Sequence, residues 1–431
     1  MRLLIKDGWL VDPVADREGN YDILVEDGKI IRVAERLEEP ADRILCARGL
    51  CILPGLIDLH VHLREPGQEY KETIATGARA AAAGGFTGIC PMPNTRPATD
   101  SPEKIRELLK KASEVSPVHI YPIGAITVDQ KGECLADIRG MAQAGAVAVS
   151  EDGRSVGNTA LYAEGMKEAK AAGIPVFAHC EDSSLVRGGV MNAGKRAQEL
   201  GLPGITNAVE DIITARDILL AKETGVQLHL CHCSTETSVR MLELAKAEKI
   251  PVTAETGPHY ITMTDAEIPE DSGKYKMNPP LRAEKDRQAL IRGLKEGTID
   301  AIATDHAPHS AEEKKSSMRT APFGIVGLET AVPLIVTELV KKGRLTLRQM
   351  AERLSAAPAR ILGIDRGTLQ EQYAADITIL DLNREYVIDP ERFLSKGRNT
   401  PFAGKRVSGA VCYTIVDGSI VYENRAEGEN R

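Results

Sequence analysis

The sequence predicts an α/β fold, a (β/α)8 TIM barrel carrying a small β domain formed from both chain ends. Three observations predict it. Between residues 55 and 364, short apolar runs with strand character alternate eight times with longer amphipathic stretches. The two chain ends resemble each other and differ from the middle. Histidines and aspartates fall where the eight strands end, which is the face on which barrel sites are built.

From the N-terminus, LLIKDGWLVD (3–12) and DILVEDGKIIRVA (22–34) each set Asp-Gly between two β-prone runs, a hairpin signal. YTIVDGSIVYEN (413–424) repeats that pattern, and ADITILDL (375–382) adds a further strand. Residues 1–54 and 365–431 therefore read as one composite β domain, with the barrel of 55–364 inserted between them. The barrel strands are expected at LIDLHVHL (56–63), FTGICPMPN (86–94), VHIYPIGAIT (118–127) and AVAVSED (146–152). The second half supplies PVFAHCED (175–182), QLHLCHCS (227–234), VTAETGPHY (252–260) and IDAIATDHAPH (299–309). Helical stretches lie between them, from KETIATGARAAAAGG to EKDRQALIRGLKEG, and GLETAVPLIVTELVKKG follows the eighth strand. No Gly-x-Gly-x-x-Gly turn follows any strand, so a doubly wound dinucleotide fold has no support.

Composition narrows the function. A net charge of −8 over 431 residues, with no basic stripe, argues against nucleic acid or an anionic membrane as partner. The N-terminus MRLLIKDGWLVD has no apolar leader and no run approaches a membrane span, so a cytoplasmic protein acting on a small molecule is expected. Eight cysteines without paired spacing read as reduced thiols.

The nine histidines carry the chemistry. His60 and His62 in IDLHVHL lie two apart, so on a strand both imidazoles face one side. Asp152, His179, His232 and Asp305 end strands four, five, six and eight. Four imidazoles and two carboxylates at one barrel mouth exceed the needs of one tetrahedral zinc and suit two divalent cations with a shared ligand. In VAVSED, Glu151 and Asp152 face opposite sides and periodicity leaves the choice open. Cys231 and Cys233 flank His232, and Cys180 adjoins His179; alternation sends these cysteines and His229 outward against the helices.

HVHLREPG, PMPNTRP, SEDG, AHCED, CHCS, MNPPLR and ATDHAPH, in that order, resemble the class I dihydroorotases of the amidohydrolase superfamily over essentially the whole chain. The resemblance implies that Asp152, and not Glu151, bridges two Zn2+ ions per chain, where many relatives in the superfamily use a carboxylated lysine. It assigns His60, His62 and Asp305 to one metal, and His179 and His232 to the other. It implies reversible cyclisation of N-carbamoyl-L-aspartate to L-dihydroorotate in pyrimidine biosynthesis, through a hydroxide bridging the metals with Asp305 as general acid/base. Arg64, Asn94 and His309 are expected to bind the substrate carboxylate and Asn278 the ring. SAEEKKSSMRTAPFGIVG, after His309, is read as a mobile lid whose Phe323 and Gly324 backbone meets the pyrimidine. A homodimer and association with an aspartate carbamoyltransferase are the expected assemblies. Two competing readings are a dihydropyrimidinase or allantoinase, which should carry the strand-four lysine, and an inactive barrel scaffolding a carbamoyltransferase, which should lack metal ligands.

Overall fold

A computed structural model describes residues 2–424; Met1 and residues 425–431, the extreme ends of the expected composite β segments, lie outside the described residues. All eight predicted barrel strands form. They are Leu56–Val61, Phe86–Pro91, a third in two pieces (His119–Ile120 and Ile123–Ala125), Ala148–Ser150, Val176–Ala178, Leu228–Leu230, Val252–Thr256 and Ala301–Ile302. Neighbours pair in parallel from the first to the eighth strand. The ring closes where Val61 bridges His306 and the His62 amide donates to the His306 carbonyl at 2.8 Å. The barrel interior is apolar at its lower level, filled by Ile57, Leu59, Cys90, Ile123, Ala148, Phe177, Ala301 and Ala303.

The helices bury one face against the strands, and several carry a side-chain cap. Pro102–Val115 is typical: Ser101 accepts from the Lys104 amide, Pro102 occupies the first turn, and Ile105, Leu108 and Ala112 are its buried face. Thr159–Ala172 is capped by Asn158 and ended by Gly173 in the left-handed conformation at φ 74°.

One eight-stranded sheet draws on both chain ends. Its order runs Ser419–Glu423, Arg406–Val416, Ile377–Val387, Cys51–Pro54, Arg2–Asp12, Arg17–Glu26, Lys29–Ala34, with Arg43–Cys46 also pairing Arg2–Asp12. The seam is antiparallel, with Ile377 opposite Pro54 and Ile379 opposite Ile52. Two of the three Asp-Gly signals are tight hairpin turns, with both residues at positive φ: Asp27-Gly28 at 48° and 80°, and Asp417-Gly418 at 43° and 74°. The third does not turn the chain. Asp7 at φ 61° makes a bulge inside the continuous strand Arg2–Asp12, its amide donating to Asp22 at 2.8 Å. Gly8 is needed there because a Cβ would sit 2.2 Å from the Ile52 side chain.

Candidate active site

The site lies above the apolar layer, where the strands end. On the first strand a register shift between Asp58 and Val61 resets the alternation, so Ile57 and Leu59 fill the core while His60 and His62 turn inward at the rim. Strand five keeps strict alternation, with Phe177 and His179 inward and Ala178 and Cys180 outward. Strand four likewise brings Asp152 inward. Glu151 turns away and accepts hydrogen bonds from the Thr127 amide and hydroxyl. Strand six departs from expectation. His229 packs on the Phe177 ring at 4.5 Å and Cys231 joins the interior cluster, so both face inward, and only Cys233 packs outward. The reason is His232, whose φ of 37° breaks the alternation and swings its imidazole into the site. Asp305 and Arg64 are also held at positive φ, 49° and 61°, at the same rim.

The six candidate ligands converge. Asp152 is central: its Oδ1 lies 3.3 Å from His60 Nε2, 3.4 Å from His179 Nδ1 and 3.6 Å from His232 Nε2, and its Oδ2 lies 3.5 Å from His62 Nε2. Asp305 Oδ1 stands 3.1 Å from His62 Nε2 and 3.6 Å from His60 Nε2. His179 Nδ1 and His232 Nε2 face each other at 2.9 Å. Ligand atoms of His60, His62 and Asp305, and again of His60, Asp152 and His232, lie within 4.8 Å of one another. Among the described residues, His60 Nε2 and Asp152 Oδ1 are buried without a hydrogen-bond partner, an arrangement that is costly unless a cation shares them.

The electrostatics fit that donor set. Burial opposes a charged His179, yet Asp152 and Glu181 beside it outweigh burial and push its value up to about 10. Burial likewise opposes ionised Asp305, but His62, His60 and His232 hold its carboxyl far below the ordinary range. The pocket therefore attracts positive charge, which a divalent cation would supply. Behind it sits a residue that the sequence reading missed. Glu255, fully buried on strand seven, faces His60 Nδ1 at 3.1 Å and His229 Nε2 at 3.1 Å, which fixes His60 with Nε2 toward the centre. Glu255 lies within a strand with no histidine partner nearby in sequence, so no local signal marks it.

Beside the ligands is a cavity of about 160 Å3, walled by His62, Arg64, Asn94, Asp152, His179, His232, Asn278, Asp305, Phe323 and Gly324 among others. Arg64 donates through Nε to the Pro308 carbonyl at 3.2 Å, and its Nη2 lies 3.3 Å from His309 Nε2. No carboxylate comes within ion-pairing distance of it among the described residues. Asn94 Oδ1 contacts His62 Nδ1 at 2.9 Å, its amide donating to Asp152 at 3.3 Å. The Asn278 amide donates to Glu181. His309 stands behind the wall, its Nδ1 accepting from Lys71 Nζ at 3.2 Å and its Nε2 donating to the Phe323 carbonyl at 2.7 Å. His306 points elsewhere, its Nδ1 accepting from the Gly327 amide at 3.1 Å and its Nε2 facing Glu72 at 3.3 Å.

A family model described as Dihydro-orotase-like matches residues 49–238, and one described as Amidohydrolase family matches 320–422. A dihydroorotase of Acetivibrio thermocellus is 47% identical over 98% of this chain and 99% of its own. One of Pelotomaculum thermopropionicum is 49% identical over 99% of each. Among solved structures, the L-hydantoinase (dihydropyrimidinase) of Arthrobacter aurescens superposes with a TM-score of 0.89 at 29% identity, covering 98% of this chain and 96% of that one. With near-half identity along essentially its full length, the chain belongs to the dihydroorotase family of the amidohydrolases.

Proposed function

We propose that the chain is a cyclic amidohydrolase that interconverts N-carbamoyl-L-aspartate and L-dihydroorotate. The observation that carries this reading is Arg64, a guanidinium on the cavity wall without a carboxylate partner among the described residues, next to a centre built for cations. A substrate carboxylate is the missing partner. It would lie against the free N–H groups of Arg64 and beside Asn94, with His309 supporting that side from behind the wall, while Asn278 would face the ring.

The amidohydrolase family is metal-dependent, and this chain offers candidate His/Asp sites. In this reading His60, His62 and Asp305 hold one Zn2+, His179 and His232 a second, and Asp152 both. When bound, such cations supply water of lowered pKa at neutral pH and polarise a carbonyl. Asp305, ionised and buried at the edge of the cavity, takes the proton released as the ring carbonyl is attacked and returns it to the leaving ring nitrogen. In ring closure it takes the nitrogen's proton first. Arg64 fixes the substrate so that the amide bond faces Asp305. Residues 1–54 with 365–431, and 55–364, form the two proposed domains. We propose likewise a homodimer and association with an aspartate carbamoyltransferase; among the described residues no helix is long and apolar enough to cross a membrane.

Loss of dihydroorotate absorbance with zinc-loaded protein, run beside dihydrouracil and hydantoin, tests the reading. Turnover of dihydroorotate with little on the other two is expected. Folded, zinc-loaded protein without dihydroorotate turnover would overturn it.

A further inference from the structure

The Phe323–Gly324 stretch is tied down by two buried side chains. Lys314 is 4% exposed, and its Nζ donates to three carbonyls from two places in the chain: Gly324 at 2.8 Å and Pro322 at 2.9 Å in one stretch, and Lys276 at 3.0 Å in another. Asn399, 5% exposed, reaches in from beyond the barrel. Its Nδ2 donates to the Gly324 carbonyl at 3.1 Å and the Ala307 carbonyl at 3.1 Å, and its Oδ1 accepts from the His309 amide at 3.1 Å. The Gly324 amide donates to the Lys276 carbonyl at 3.0 Å. Both hydrogen-bonding groups of the Gly324 peptide link are thus used within the protein, the carbonyl twice.

A Lys ammonium has three donors and no acceptor, so three carbonyls saturate it, and an unpaired one could not remain buried. The three carbonyls it gathers belong to the segment before Asn278 and to the stretch bearing Phe323. Asn399 couples the same Gly324 carbonyl to the loop carrying His309. Gly324 itself is required: at φ 128°, a Cβ there would lie 2.7 Å from Ala307 Cβ and 3.1 Å from His309 Nε2.

We infer that Lys314 and Asn399 are positioning residues that clasp Gly324 and hold the Phe323 side of the cavity as a preformed wall, in place before substrate arrives. The inference rests on the proposed dihydroorotase site for its kinetic consequence, and not for its structural one. The wall presents the Phe323 side chain, and not a free Gly324 peptide, to the ring. Substrate binding then carries no cost of ordering a lid, so removing the clasp should act on KM more than on kcat.

Two measurements on the full-length, zinc-loaded protein test this. In hydrogen exchange without substrate, the Gly324 amide should be protected at least 100-fold over an unstructured peptide. Lys314→Met and Asn399→Ala should each remove most of that protection while barrel-strand amides keep theirs. In steady state with dihydroorotate, each variant should raise KM about tenfold with kcat within about threefold. Because both side chains act on one carbonyl, the double variant should raise KM by less than the product of the two. An unprotected Gly324 amide in the substrate-free wild type, or effects of the two variants that multiply independently, would overturn the clasp. Failure of dihydroorotate turnover alone would strike the functional reading and leave the exchange result to judge the wall. Should Lys314→Met fail to fold, Lys314→Gln retains a donor for the carbonyls and should show the same KM effect in weaker form.

Discussion

Replacing Arg64 by Met removes the guanidinium proposed to distinguish a carboxylate-bearing ring from its bare analogue. Dihydroorotate differs from dihydrouracil by a single carboxylate, so the loss should fall on one substrate only. Truncating one partner of a buried charge pair costs about 3–5 kcal/mol. The lower end is taken as the expected minimum, because Lys71, with its Nζ 3.2 Å from His309 Nδ1, is already paired with Glu313 at 3.0 Å and does not take over the charge. About 3 kcal/mol is a fall of roughly a hundredfold in kcat/KM, since 1.4 kcal/mol is tenfold. The methionine keeps the length of the side chain, and Arg64 is not among the converging ligands, so zinc content should stay at the wild-type level. The assay is steady-state ring opening of dihydroorotate and dihydrouracil by wild type and variant, side by side. The ratio of the two efficiencies should collapse by about two orders of magnitude in the variant, with dihydrouracil turnover changed little. An unchanged ratio would refute the assignment of Arg64. Comparable wild-type efficiency on both rings would refute carboxylate recognition altogether and move the chain toward the activity of its hydantoinase neighbours.

Four further outcomes are expected. Asp152→Ala removes the carboxylate that lies within 3.6 Å of all four imidazoles and should lower zinc content below wild type and abolish turnover; elemental analysis showing an undiminished complement would sink its central role. Asp305→Asn preserves shape but not basicity, so turnover should drop by at least about 10²–10⁴-fold; a change of only a few-fold with metal retained would assign the proton to another group. Glu255→Gln loosens His60 from behind and should weaken zinc affinity by about 10–100-fold, read by competition with a chelator. Glu329 gives a pH effect: burial pushes its carboxyl from 4.5 up to about 7, against the hydrogen bonds it accepts from the Leu394 and Ser395 amides. The folded state therefore binds the extra proton between those values, and stability falls as pH rises through the window. Glu329→Gln should gain relative to wild type between pH 5 and pH 8, by up to about 3 kcal/mol in paired denaturant titrations; a flat difference across that range would contradict the raised value.

The barrel and the identity of the converging groups were legible in sequence because both rest on local pattern. Eight apolar runs between amphipathic stretches predict parallel strands, and His60 and His62 announce a shared face by their spacing. What escaped depends on breaks in that pattern or on contacts distant in sequence. Alternation sends His229 and Cys231 outward, yet the positive φ at His232 inverts the strand end and leaves both inside. Asp7-Gly8 reads as a hairpin, yet the neighbouring Ile52 side chain and the Asp22 carboxylate make it a bulge. Glu255 supports His60 across 195 residues, and Asn399 reaches Gly324 across 75, separations at which residue type alone carries no information.

The departures within the barrel strands share a location, and that follows from how the barrel must be filled. This barrel needs an apolar plug below and a ring of polar groups above. Strands four and five supply both with alternation unbroken, Ala148 and Phe177 below and Asp152 and His179 above. Strand one changes over at a register shift, and strand six at His232 with φ 37°. Non-glycine residues at positive φ carry a conformational cost, of about 1–3 kcal/mol in sparsely populated regions. The plug beneath them excludes water, which strengthens every charge interaction above it. Asp152, Asp305 and Glu255 are all buried over that plug, and together the three carboxylates draw positive charge into the centre. Such a centre is tolerable only when it holds cations. The backbone strain, the apolar floor and the cluster of carboxylates are therefore one arrangement, with cation binding as the term that offsets the other two.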